Sequence, residues 1–260
     1  MGLDKHPVER YGTWVKNAVQ GDLGVSPRSG ADINEMVGKR LPNSAILALL
    51  AFLVAVPSSL AAGVFCGIKP DSKLDRVLSI GSVLTISVPE FVIAVILTLV
   101  FATKLGWLPS STIMLPGETI YGNPKVLILP VVTITGALFA YILRMARANV
   151  IEVMESNYVR TAILKGISKR QVVIKHVLPN AMIPTITVIA NNVGWMFGGL
   201  IVVEFVFAFP GVGSLLIMAI NTRDMRLLQS VALVIAAIYA FSNLFADLLY
   251  GVLNPRIRLG

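Results

Sequence analysis

Residues 160–184 read RTAILKGISKRQVVIKHVLPNAMIP, and this polar interval between apolar runs decides how the rest of the chain is arranged. It holds Arg160, Lys165, Lys169, Arg170 and Lys175, while no acidic residue occurs from Ser156 to Val203. Val159, Ala162, Ile163, Gly166 and Ile167 follow the i, i+3, i+4, i+7, i+8 spacing of one helical face. Arg160, Thr161, Leu164 and Lys165 fall elsewhere on that helix. Gly166 is expected to end it, and Ser168 with Gln171 three residues later has the form of a capping box that opens a second helix. Pro179 and Pro184 are expected to interrupt this second helix as it approaches the next apolar run. The expected product is a short amphipathic helix, a turn and a second helix.

Outward from this interval the sequence is overwhelmingly apolar. Of 260 residues, 55% are hydrophobic and 14% charged, with a mean hydropathy of +0.78; soluble domains carry roughly 25% charged residues. This composition predicts an all-α, polytopic helical membrane protein. Five stretches are long enough to cross a hydrocarbon layer that needs about 20 apolar residues as helix: approximately Ala45–Ile68, Val77–Phe101, Leu129–Ala148, Thr185–Phe207 and Leu228–Val252. Helix is the form expected, because backbone polar groups in lipid must be satisfied within the segment and alternating ten-residue strands are absent. Pro42 and Pro130 are placed at or before the first turn of their helices, whereas Pro57 and Pro89 are interior and expected to kink theirs.

Five spans put the connecting segments alternately on two sides. One side collects Lys69, Lys73, Arg76, the basic interval from Arg144 to Pro184, and the C-terminal Arg256 and Arg258. The other collects the N-terminal segment, the loop from Thr103 to Ile128, and the loop from Pro210 to Leu227. Cations close to the spans favour the first side, which the positive-inside rule makes cytoplasmic. The expected organisation is an extracytoplasmic segment 1–42, a transmembrane domain 43–252 that includes a cytoplasmic loop 150–184, and a cytoplasmic tail 253–260. Since residues 1–41 contain no signal-peptide-like core to carry them across, either this polar segment is translocated unaided or a further helix stands ahead of it; the second is the expectation, six spans in all.

Several functions are disfavoured. A net charge of +8 invites nucleic acid, but cations lying between apolar spans serve orientation, so no nucleic-acid partner is expected. One cysteine, Cys66, excludes an intrachain disulfide, and His6 and His176 have no metal-binding spacing. No phosphate loop occurs: Gly38-Lys39 continues with Arg40 and lacks the preceding glycine. No catalytic constellation accompanies the spans, so no enzymatic activity and no bound cofactor are expected.

Arg160-Thr161-Ala162, three residues, Gly166, nine residues, His176, one residue, then Leu178-Pro179 has the spacing of the "EAA loop" of permeases from binding-protein-dependent ABC importers. Arg160 stands where that loop usually has Glu, Thr161 where it has Ala, and His176 where it has Ile. The Arg-Thr-Ala form resembles the oligopeptide, dipeptide and nickel branch. Gly21-Asp22-Leu23-Gly24, Arg40-Leu41-Pro42, Asp75-Arg76, Glu204 with Phe207, Pro210-Gly211-Val212-Gly213, Arg223-Asp224, Asp247 and Pro255-Arg256-Ile257-Arg258 are similar to that family as well. The resemblance implies the type I transmembrane domain of an ABC importer in a bacterial-type inner membrane, carrying peptides or a related small solute. It implies as partners a homologous second permease, two ATP-binding subunits that hold ATP and Mg, and an extracytoplasmic solute-binding protein. It also implies an ATPase-coupling element at Tyr158, Arg160, Thr161, Ala162, Lys165, Gly166, Ser168, Leu178 and Pro179, and a structural turn at Glu204, Pro210, Gly211 and Gly213. The competing class is a gradient-driven secondary transporter or channel.

Polar residues inside the spans are read individually, because burying them in lipid is costly. Glu90 either faces a translocation pathway or satisfies the Pro89 kink. Asn191 and Asn192 either line the pathway or bond between helices. Glu204 is read as a loop anchor, and Asp247 is expected to pair with a cation such as Arg256. Gly194, Gly198 and Gly199 suggest close helix contact, Trp195 packing, and Trp107 an interfacial anchor.

Overall fold

The computed structural model describes residues 6–113 and 122–253. The described residues form α1 (Pro7–Val19), α2 (Ile33–Ile68), α3 (Lys73–Ser87), α4 (Glu90–Leu97, prolonged by a π-helical turn Thr98–Lys104), α5 (Ile128–Met154), α6 (Asn157–Leu164), α7 (Lys169–Val172), α8 (Leu178–Val206), α9 (Val212–Asn221) and α10 (Met225–Leu253). Four helices or helix runs are long and apolar enough to cross a membrane, and the bent pair α3 and α4 makes a fifth if counted as one crossing.

Two expectations about spans need correction. The first span does not start near Ala45: α2 begins at Ile33, where the Asp32 side chain accepts a hydrogen bond from the Asn34 N–H. At 1.5 Å per residue α2 is about 54 Å long, well beyond a hydrocarbon layer of about 30 Å. Pro42 therefore lies inside the helix. The second span is broken, not kinked: α3 and α4 meet at 108°. Val88, forced out of the helical region by the following proline, is extended at φ −100° and ψ 127°, and Pro89 caps the new helix.

The tightest packing joins α2 to α5. At Gly63 an added Cβ would stand 2.7 Å from the Ala146 Cβ, and at Gly67 2.6 Å from the Val150 Cβ, so both glycines allow the backbones to close. The central core combines Leu47, Ala51 and Ala55 of α2 with Leu138 and Ile142 of α5 and Met196, Leu200 and Val203 of α8.

Each end of the bundle has its own cluster, and these sort the connecting segments. At one end Ile33 and Val37 pack with Leu215, Ala219, Leu227 and Val231. The Ser26 hydroxyl donates to Asp224, the Ser230 hydroxyl to the Leu23 carbonyl (3.2 Å), and the Thr112 N–H to the Phe207 carbonyl (2.9 Å). At the other end Val150, Val159, Ala162, Val172, Val177 and Ala181 gather with Val64 and Ile68. There Asp75 receives Arg147 Nε at 2.6 Å and a second guanidinium nitrogen at 2.8 Å. Thus α3 starts beside Arg147 near one end, and the segment after α4 is bonded at the other. Despite its bend, the pair carries the chain from end to end, and the loops fall into the two groups that alternate crossing requires.

Candidate functional site

The polar interval is built as a small platform on one end of the bundle. Ser156 precedes α6, whose first turn is free to form because Ser at this position has extended backbone (φ −67°, ψ 149°). Val159 and Ala162 are buried under the helix against the ends of α5 and α8. Gly166 ends it at φ +79°, a left-handed conformation that a side chain disfavours. Ile163 is not on the buried face: it is 51% exposed and Leu164 80%, so apolar side chains point away from the protein. A two-turn helix has room for only one row of contacts beneath it, and Val159 and Ala162 fill that row.

Around these lie exposed Arg160, Thr161, Lys165 and Ser168. Tyr158 is half exposed, and its hydroxyl reaches the His176 carbonyl at 3.4 Å. Ser168 opens α7 without a reciprocal capping box, since its hydroxyl meets the Gln171 side chain (3.2 Å) instead of a backbone N–H. Pro179 and Pro184 do not interrupt the second helix either. A π-helical turn at Val173–Val177 joins α7 to α8, Pro179 occupies the first turn after Leu178, and Pro184 is carried within α8. The run from Lys169 to Val206 is continuous helix and contains an apolar window long enough to cross a membrane. The platform is therefore fused to a membrane helix without a flexible joint.

At the opposite end Glu204 is fully buried and holds the turn between α8 and α9. One oxygen accepts from the Ser44 hydroxyl (2.5 Å), the other from the N–H groups of Gly213 (2.7 Å) and Ser214 (3.1 Å). The latter two belong to the first turn of α9, whose unpaired N–H groups favour an anion. The carboxylate lies so close to Gly211 that a Cβ there would be 2.2 Å from it. The start of α2 completes the joint: Asn43 donates to the Pro210 carbonyl (2.8 Å), Ser44 accepts from the Val212 N–H (2.8 Å), and Arg40 donates to the Ser214 hydroxyl (3.0 Å). Sequence reasoning assigned no role to Asn43 or Ser44; the available signal was a polar Arg-x-x-Asn-Ser run opening an apolar span. It also left Asp75 and Arg147 unpaired, although charges next to spans seek partners.

Between α3, α4, α5 and α8 lies a half-open cleft of about 740 Å³. Glu90, Tyr141, Asn191, Asn192 and Trp195 line it. Glu90 sits in the first turn of α4, and its carboxylate rests on α8, where a Cβ on Gly199 would be 2.2 Å from the nearer oxygen. Asn191 is exposed in the cleft, whereas Asn192 is largely buried and donates to the Val188 carbonyl (2.7 Å) of its own helix. Trp195 is not packed: it is 53% exposed and forms part of the cleft wall. Gly194 allows close approach of Asn243 on α10, and at Gly198 an added Cβ would meet nothing. Trp107 is exposed and tilts over Phe101 at 6.0 Å. Asp247 is exposed, and its expected partner Arg256 lies outside the described residues. Among the described residues no cluster of His, Cys, Asp and Glu could hold a metal ion.

Comparison with known proteins gives a consistent result. The family described as "Binding-protein-dependent transport system inner membrane component" matches residues 59–259. The oligopeptide transport system permease protein AppB of Bacillus subtilis is 34% identical over 260 residues, covering 99% of this chain and 82% of that protein. The glutathione transport system permease protein GsiC of Escherichia coli is 36% identical over 258 residues, with the same coverage of 99% and 82%. A solved structure described as an amino acid ABC transporter with histidines superposes with a TM-score of 0.63 over 85% of this chain and 94% of that one; at 16% identity it shows the fold. The chain belongs to the family of binding-protein-dependent transport system inner membrane components.

Proposed function

We propose that this chain is half of the membrane pathway of an ATP-driven importer for peptides or a related small solute. The observation that carries the reading is the platform at Asn157–Lys169: a short helix with a buried apolar underside, an exposed apolar and basic outer face, and a stiff connection to α8. Such an element can pass the motion of a separate subunit to the bundle, since packed helices shift as bodies rather than deform. In this reading Tyr158, Arg160, Thr161, Ala162, Lys165, Gly166, Ser168, Leu178 and Pro179 form the coupling surface of loop 150–184. One of two ATP-binding subunits seats on it, the other on the second permease, and these subunits hold ATP and Mg, so that nucleotide chemistry stays outside this chain, which performs no covalent step itself.

A second, homologous permease closes the half-open cleft, and Glu90, Asn191 and Asn192 line the pathway there. Segment 1–42 lies on the extracytoplasmic side with the Glu204 joint, where a solute-binding protein delivers its cargo, and the tail 253–260 is cytoplasmic. The relatives named for peptides and glutathione support this solute class. The test is uptake in vesicles. The complete assembly should accumulate peptide only with ATP inside the compartment that contacts α6. Accumulation by this chain alone, driven by an imposed ion gradient, would overturn the reading.

A further inference from the structure

We propose that Glu90 makes the membrane cleft selective for solutes that present a protonated amine, its carboxylate receiving the ammonium group as the solute crosses. The inference rests on the importer reading above and adds to it a recognised chemical group.

The carboxylates outside the platform differ in how they are satisfied. Glu204 accepts three hydrogen bonds, Asp75 holds the Arg147 guanidinium together with the Asp71 N–H, and Asp224 takes Ser26 and the Leu227 N–H. For Glu90, by contrast, no hydrogen bond or ion pair occurs among the described residues. Its placement is nonetheless enforced. The break at Val88 and Pro89 turns α4 so that its first residue meets α8, and the bare Cα of Gly199 lets the carboxylate lie against that helix. An ionised group held in a membrane segment without a partner is costly, and such residues mark the path of a charged solute.

The surroundings favour a cation over an anion. Among the described residues the cleft lining contains no Lys, Arg or His. Tyr141 and Trp195, 47% and 53% exposed, offer aromatic rings in the same wall, and rings attract an ammonium group through their negative faces. Exposed Asn191 adds a donor and an acceptor suited to an amide. A volume of about 740 Å³ is within the range of small-ligand sites.

The test compares Glu90→Gln with the unchanged protein in the complete assembly, using trialanine, its N-acetyl form, and N-acetyl-Ala-Ala-Lys as solutes. Any preference of the binding protein is common to both assemblies and cancels in the ratio of rates. Glu90→Gln should slow trialanine about tenfold, the effect of one charge-assisted hydrogen bond, and leave N-acetyl-trialanine unchanged; Glu90→Asp should restore part of the loss. Selective slowing of N-acetyl-Ala-Ala-Lys as well would show that a side-chain ammonium is received in the same way. Equal slowing of acetylated and free trialanine, as a purely structural role at the start of α4 would give, overturns the inference. So does equal transport by both proteins. If the unchanged assembly imports none of these peptides with ATP, the peptide class within the importer reading fails and the inference with it, which is a separate outcome.

Discussion

Replacing Glu204 by alanine should unlock the joint between α2, α8 and α9. The side chain is fully buried, and its two oxygens serve three donors: the Ser44 hydroxyl and the N–H groups of Gly213 and Ser214. Alanine leaves all three without this acceptor. Each orphaned buried group costs about 1–3 kcal/mol, with part recovered by water entering the space, so a total of about 3–5 kcal/mol is expected, the usual cost of breaking a buried charged network. Glutamine keeps one acceptor oxygen for the N–H pair and can turn its amide toward Ser44; its cost should be about 1–2 kcal/mol. For a chain of this size 1 kcal/mol corresponds to about 2–4 °C in Tm, so Glu204→Ala should lose on the order of 10 °C and Glu204→Gln about 3–5 °C. Heating the detergent-solubilised protein and measuring the surviving monodisperse fraction reads both. An alanine variant within 2 °C of the unchanged protein, on the scale set by the same conversion, would refute the reasoning, as would a glutamine variant worse than alanine.

Two further outcomes follow from the other polar joints. Asp75→Asn should destabilise by about 2–3 kcal/mol, because it removes the negative charge and one of the two oxygens that receive the guanidinium, a loss moderated by the partial exposure of Arg147. Arg147→Lys, which loses the fork but keeps the charge, should cost less in the same heating assay. At Asp224 burial raises the carboxyl's affinity for protons, but hydrogen bonds from Ser26 and from the backbone of Leu227, Arg28 and Arg226 together hold it below the ordinary range. A lowered value means that its contribution is complete above the unfolded value of about 3.9 and fades as pH falls through the folded one. Amide exchange protection of Ser26 and Ile33, corrected for intrinsic rates, should therefore drop in strong acid, and Asp224→Asn should show reduced protection already at neutral pH with little further loss in acid.

The long apolar runs were legible because about 20 such residues in a row have few alternatives to a membrane helix. The break at Pro89 was not, since hydropathy is continuous across Val77–Phe101 and a proline within a membrane helix usually only bends it. What decides it is the extended Val88 together with the support that α5 and α8 give to α4. The early start of α2 was missed for a related reason. Apolar length alone ignores a polar cap, and Asp32 with Ile33, Val37 and Leu41 at helical spacing was the signal. In the platform, spacing separated α6 from α7 at Gly166 but placed Ile163 beneath the helix, because the pattern cannot say how wide the supporting surface is. Asn191 and Asn192 both border the cleft yet differ by a rotation of about 100° around α8: Asn191 is exposed in it, whereas Asn192 is largely buried and bonded to its own backbone.

The central claim is that α6 projects into the cytoplasm as the seat of a separate ATP-binding subunit. Leu164, 80% exposed at the tip of the platform, is the place to test it, and the chain's single cysteine, Cys66, is buried. With cysteine at position 164, a short bifunctional reagent applied to the complete assembly should join this chain to the ATP-binding subunit, in a yield that changes with bound nucleotide. Labelling of the same cysteine by an impermeant reagent from outside the cell, with no such crosslink, would contradict the account.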